Sequence, residues 1–173
     1  METSKILDLL SYSVPAIIVA IVAFYFFKKF IQLEEKKVKL FHLNENKKFS
    51  LPIKLQAYER MTLFLERINP SKLVIRVTSI NNDKNSYTLS LIETIEQEFE
   101  HNIAQQIYIS EECWNVIITS KNAISHSIKT ISEETNITSA QELREAILKD
   151  VLNNGATSTK AITFIKNEIK SII

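Results

Sequence analysis

Leu9–Phe27 reads LLSYSVPAIIVAIVAFYFF, nineteen consecutive residues without a charge. At a rise of 1.5 Å per residue such a helix is ~28 Å long, close to the hydrocarbon thickness of a bilayer. No comparable stretch follows, so the sequence predicts one transmembrane anchor with a single soluble domain behind it. A cleaved signal peptide is the competing possibility. The start METSKILD sets Glu2 and Asp8 against Lys5, a poor basic leader, and no small-x-small cleavage motif follows the apolar run. A retained helix is therefore expected, with Pro15 kinking it or lying in its first turns.

Charge sets the expected orientation. Lys28, Lys29, Lys36, Lys37 and Lys39 follow the span, and only Lys5 and the terminal amine precede it. The excess of positive charge predicts a cytoplasmic C-terminal domain at an inner membrane, with the N-terminus on the other side. Phe26 and Phe27 with Lys28, Lys29, Lys36 and Lys37 form the expected membrane-interface belt. Residues 28–60 hold nine Lys and Arg against four Glu, a net +5, and residues 81–112 hold one Lys against seven Asp and Glu, a net −6. These regions are expected to pair within the chain, with the membrane or across subunits. The whole chain carries only +1, and nucleic-acid binding lacks both a basic face on the domain and an aromatic platform.

The expected organisation is an N-terminal segment with the transmembrane helix over 1–27, a charged connector over 28–50 and a helical soluble domain over 51–173. One glycine and three prolines in 173 residues favour helices and leave no Gly-rich phosphate loop. Ser50 and Pro52 suggest a helix start. Leu55, Tyr58, Met61, Leu65 and Ile68 recur at helical spacing, and Asn69–Pro70 ends that run. Leu73–Val77 reads as either a short strand or a helical turn. A long helix is predicted over 86–107 from Tyr87, Leu91, Ile95, Phe99, Ile103 and Ile107. Ser110 caps the next, which carries Trp114, Ile117, Ile118, Lys121, Ile124, Ile128 and Ile131 along one stripe. Ser139-Ala-Gln-Glu142 is a capping box, Gly155 with Lys149 in the last turn marks that helix's end, and Ile162, Ile165, Ile169 and Ile172 face the core from the last helix. The fold class is all-α: an N-terminal transmembrane helix followed by a cytoplasmic helical bundle.

The segments QAYERMTLFLERINP at 56–70 and EQEFEHNIAQQIYIS at 96–110, with Trp114 and the N-terminal span, resemble a family of small membrane-anchored Bacteroidetes proteins of unknown function. The resemblance covers the anchor and residues 50–115. It implies an inner-membrane location in a Gram-negative cell and supplies no catalytic residue.

The polar groups most worth following are Glu98, His101, Asn102, Gln105 and Gln106. On a continuous helix, 98, 101, 102 and 105 share a face. That ridge reads as a buried polar seam, as a partner-binding face, or as an acid–base pair or half of a metal site. His42 and His126 have no ligand spacing to each other, so no metal or cofactor is expected. Cys113 is expected to be a buried core thiol, its competing role being a helix-end nucleophile. Trp114 is expected in the core rather than as a binding hot spot. No Ser-His-Asp elbow, zinc motif or P-loop occurs. The expected function is a non-enzymatic interaction module, a scaffold or accessory subunit of an inner-membrane complex. Its partners would be the bilayer and other membrane subunits or a second copy, with no small-molecule substrate identified. The alternatives are a membrane-bound enzyme using Glu98 and His101, and a sensor of anionic lipid surfaces working through the basic connector.

Overall fold

A computed structural model describes residues 2–173, apart from the side chains of residues 2–13, 40, 42–44, 46 and 47. Lys5, the first five residues of the apolar span (Leu9–Ser13), Leu40 and His42 therefore lie outside the described side chains. The described residues form six α-helices, α1 Glu2–Arg67, α2 Pro70–Arg76, α3 Lys84–Glu100, α4 Glu111–Ser132, α5 Ala140–Asn154 and α6 Thr157–Ile172, with a 3₁₀ segment Ile103–Tyr108 between α3 and α4. Among them there is no strand, only an isolated antiparallel bridge between Asp83 and Ser139. The chain divides into two compact units, Met1–Ser50 and Leu51–Ile173.

In the first unit, the helical stretch Val14–Lys39 is long and apolar enough to cross a membrane; its most apolar 18-residue window has a mean hydropathy of 2.0 and none of that window is buried. Phe24, Tyr25, Phe26 and Phe27 are all exposed. The Lys29 ammonium lies 5.7 Å from the centre of the Tyr25 ring, and Lys37 pairs with Glu34 at 3.2 Å. Among the described residues of this unit nothing covers this apolar surface.

The second unit owns the hydrophobic core. Tyr58, Met61, Phe64, Leu65 and Ile68 of α1 are buried with Leu73, Val74, Tyr87, Leu91, Ile95, Ile117, Ile124, Ile128, Leu143, Ile147 and Ile165. Three- and four-residue spacing aligns these side chains on one stripe of each helix, and burying the stripes against one another supplies the main driving force. Helix α4 packs against α3, α5 and α6, and α5 also packs against α2 and α3. Phe99 links α1 to α4: its ring centre lies 5.8 Å from Phe64 and 5.4 Å from Trp114, with which it stacks. Ile169 and Ile172 pack on the core, so the last helix docks to its end.

The caps hold the helices where the sequence places them. Asn69 receives the Ser71 N–H ahead of Pro70 at the first position of α2. Leu73–Val77 is thus helical through Arg76, since proline supplies the helical φ and removes a donor that would be orphaned there. The Ser110 hydroxyl accepts from the Cys113 N–H at 3.0 Å, with Glu111 and Glu112 in the first turn. Both halves of the Ser139–Glu142 capping box are made. Gly155 ends α5 at φ 74°, a conformation open to glycine because it has no Cβ.

Three expectations require correction. Ser50 and Pro52 do not begin a helix: α1 runs through them. Proline satisfies helical φ and costs one hydrogen bond to the carbonyl four residues back, and at an exposed turn water replaces that donor. Lys149 is not in the last turn of α5, which extends to Asn154. The helix predicted over 86–107 stops at Glu100. There the Asn102 N–H turns to the Phe99 carbonyl at 2.9 Å and the Asn102 side chain donates to the Glu98 carbonyl at 2.8 Å. An asparagine that takes helix carbonyls for itself is a competitor of helix propagation.

Candidate functional site

Because α3 ends at Glu100, the polar ridge does not form one helix face. Glu98 remains on α3, His101 and Asn102 cap its end, and Gln105 and Gln106 belong to the 3₁₀ segment. Glu98 is the most engaged of the five. Its Oε1 accepts from Arg67 Nε at 3.0 Å and from Arg76 Nη1 at 3.1 Å, with the glutamate side chain only 14% exposed. Arg76 also donates to the Arg67 carbonyl at 3.3 Å. One carboxylate thereby ties together the ends of α1 and α2 and the last turn of α3.

Asn102 and Gln105 are half-buried, and Gln105 donates its N–H to the Asn102 carbonyl at 3.0 Å. His101 and Gln106 are exposed, and neither side chain contacts Glu98 among the described residues. An acid–base pair requires the imidazole and the carboxylate within hydrogen-bond reach of a common substrate atom. Here the carboxylate is occupied by two guanidinium groups and the imidazole stands in solvent. Beside these polar residues the chain displays Ile103, Ile107 and Tyr108, all exposed, in a 3₁₀ segment that buries nothing.

A second polar cluster lies inside the core. The Tyr58 hydroxyl of α1 donates to Glu168 Oε1 of α6 at 2.9 Å, and the fully buried Cys113 sits beside the same carboxylate. The other Glu168 oxygen is buried without a hydrogen-bond partner. Burial, followed by the Glu168 carboxylate, pushes the Cys113 thiol up to about 12 and holds the Tyr58 phenol above its ordinary range. A thiol so disposed is protonated at neutral pH, the reverse of what a helix-end nucleophile needs. Glu168 carried a legible signal: it falls between Ile165 and Ile169 on the apolar stripe of α6. Its partner, 110 residues away, carried none.

Lys121 is also buried. It bonds both Glu96 oxygens at 2.7 Å and lies 4.7 Å from the centre of the Phe99 ring. Its position on the α4 stripe thus reflects a paired, ring-covered ammonium. Trp114 is partly buried and stacked, a core wall. His126 is exposed. Among the described residues no group of three His, Cys, Asp or Glu is placed to hold a metal ion.

Two of the cavities among the described residues open on the second unit. One, of about 350 Å³, lies between α4 and α6 and is lined by Val116, Ala161, Phe164, Ser120 and Lys160 among others. The other, of about 380 Å³, is polar and lies between the loop after α2 and the first turns of α5.

These features define an all-helical unit accompanied by one apolar helix of membrane-spanning length, with a carboxylate–guanidinium knot where the sequence suggested an acid–base ridge. The chain belongs to a family of unknown function, DUF7935, whose pattern matches residues 4–172. No curated protein and no solved structure matches it.

Proposed function

We propose that this protein is a membrane-anchored helical interaction module, a scaffold or accessory subunit of an inner-membrane complex, without enzymatic activity of its own. The observation that carries the proposal is the apolar helix Val14–Lys39, none of which is buried. Apolar surface on that scale is stable in water only if something covers it, and its length suits a bilayer. The lysines at 28, 29, 36, 37 and 39 favour a cytoplasmic second unit. The surface offered to a partner subunit is the segment from His101 to Tyr108. It combines exposed Ile103, Ile107 and Tyr108 with the side chains of His101 and Gln106, a mixture of apolar anchors and polar groups of the kind protein interfaces use. Asn102 and Gln105 shape it from below, and Glu98 fixes its base.

Affinity purification of the full chain from mild detergent through a C-terminal tag tests this reading. Stoichiometric membrane subunits that disappear on the double substitution Ile107→Asp, Tyr108→Asp support it. A monomer with no partner overturns the scaffold role. A mature N-terminus beyond residue 27, or a C-terminal reporter active only outside the cytoplasm, overturns the anchor or its orientation.

A further inference from the structure

The polar cavity is lined by Thr78, Ser79, Asn82, Tyr87, Gln141 and Arg144, among others. Its shape is fixed by bonds within the chain. Asn82 adopts φ 50°, its carbonyl accepts from the Ala140 N–H at 3.1 Å, and its Oδ1 accepts from the Gln141 N–H at 3.3 Å. The Tyr87 hydroxyl is committed to the carbonyls of Val74 and Val77, at 3.2 and 3.1 Å. The first-turn amides of α5 are likewise occupied, by Asn82 and by Ser139.

What remains without a counter-charge is the guanidinium of Arg144, whose one electrostatic neighbour is the Tyr87 phenol, where it opposes the rise that burial causes. Arg144 is half-buried, and among the described residues it makes no hydrogen bond and no ion pair. The neighbouring carboxylates are turned elsewhere. Glu142 accepts from Thr138 and Ser139, Asp83 from the Ser86 N–H, and Glu145 from the Gln141 side chain. Arg67 and Arg76, by contrast, are both held by Glu98. On the facing loop, Thr78 and Ser79 have hydroxyls that also lack a protein partner among the described residues.

A partly desolvated guanidinium without a counter-charge is unfavourable, and its planar fork matches an oxyanion in two-pronged fashion. A tetrahedral phosphoryl group directs oxygens out of one plane, toward that fork and toward the hydroxyls of the facing loop, whereas the acceptor sites of a carboxylate all lie near its own plane. We propose that this cavity binds a phosphoryl group, with Arg144 as the two-pronged donor and the Thr78 and Ser79 hydroxyls completing its coordination. The group belongs either to a soluble phosphate or to an anionic phospholipid headgroup.

Calorimetric titration of the full chain in neutral detergent with inorganic phosphate, at constant ionic strength, tests the assignment. Saturable binding is expected, weakened about 10- to 100-fold by Arg144→Ala, as for the loss of charge-assisted hydrogen bonds. Arg144→Lys should weaken it less, and substitution of exposed Arg60 by Ala should leave it unchanged. Should Arg144→Ala fail to fold, the double variant Thr78→Val, Ser79→Ala decides, with an expected loss of about 3- to 10-fold. Repeating the titration in nanodiscs of phosphatidylcholine doped with phosphatidic acid distinguishes the sources. Competition with inorganic phosphate assigns the headgroup, and undiminished phosphate binding assigns a soluble ligand. No saturable binding, equal binding by acetate, or affinity unchanged in the Arg144 variant overturns the proposal.

Discussion

At the residue scale, the same types of side chain serve opposite ends according to what surrounds them. Glu98, with one oxygen shared by Arg67 and Arg76, is a structural tie. Both arginines are partly exposed, so solvent screens the pairing and its contribution is modest. Glu98→Gln is expected to lower stability by about 1 kcal/mol, and His101→Ala by less than about 0.5 kcal/mol, both read from urea midpoints. Equal losses in the two variants would contradict the assignment of Glu98 as the tie. The Cys113 thiol makes a sharper forecast. Its folded pKa is raised, so the native state keeps a proton that the unfolded chain surrenders. The corresponding stability is complete below about pH 9 and is lost as pH rises toward about 12. A slope of about 1 kcal/mol per pH unit is expected above pH 9, reduced in Cys113→Ala, with the Tyr58 phenol adding to the fall at still higher pH. In the native protein near pH 8, a thiol reagent should label Cys113 only as fast as the chain unfolds.

At the element scale, the ends of the helices carry the information. Ser139→Ala removes half of the capping box and should cost about 1 kcal/mol. Gly155→Ala meets no neighbouring atom, so its cost is entirely conformational: φ 74° and ψ 159° lie where side chains are excluded, and about 1–3 kcal/mol is expected. Circular dichroism during denaturation measures both. The same ends explain what was readable along the chain. Pro70, Ser110, Ser139 and Gly155 act on amides within three or four residues, so their effects were legible locally. The end of α3 was not. Its apolar row continues through Ile103 and Ile107, and neither Gly nor Pro marks the break. A repeat of four residues drifts around a 3.6-residue helix, so those later isoleucines would have rotated off the face that buries Leu91 and Ile95. The chain instead turns at Asn102 and exposes them. Pro52 misled in the opposite sense, because a proline within an exposed helix removes one hydrogen bond without necessarily ending the helix.

At the scale of the whole molecule, an apolar helix with no cover and a unit with a closed core are joined in one polypeptide. The full chain is expected in the membrane fraction, resistant to extraction by high salt or alkaline carbonate and released by detergent. A chain of residues 51–173 should be soluble and keep its helical circular dichroism, because the core is built from residues 57–165. Release of the full chain by salt alone would show that charge, rather than the apolar helix, holds it at the membrane.

Periodicity and caps were enough to establish an all-α chain, its core stripes and its apolar N-terminal helix, because these depend on side chains a turn apart and on hydropathy summed over a local stretch. The grip of Glu98 on two arginines, the burial of Glu168 between Tyr58 and Cys113, and the placement of Arg144 in a polar hollow without a counter-charge were decided only when distant segments met. Charge and hydrogen-bonding groups take their energies from whatever lies within a few ångströms, and for these residues the neighbours come from other helices and loops.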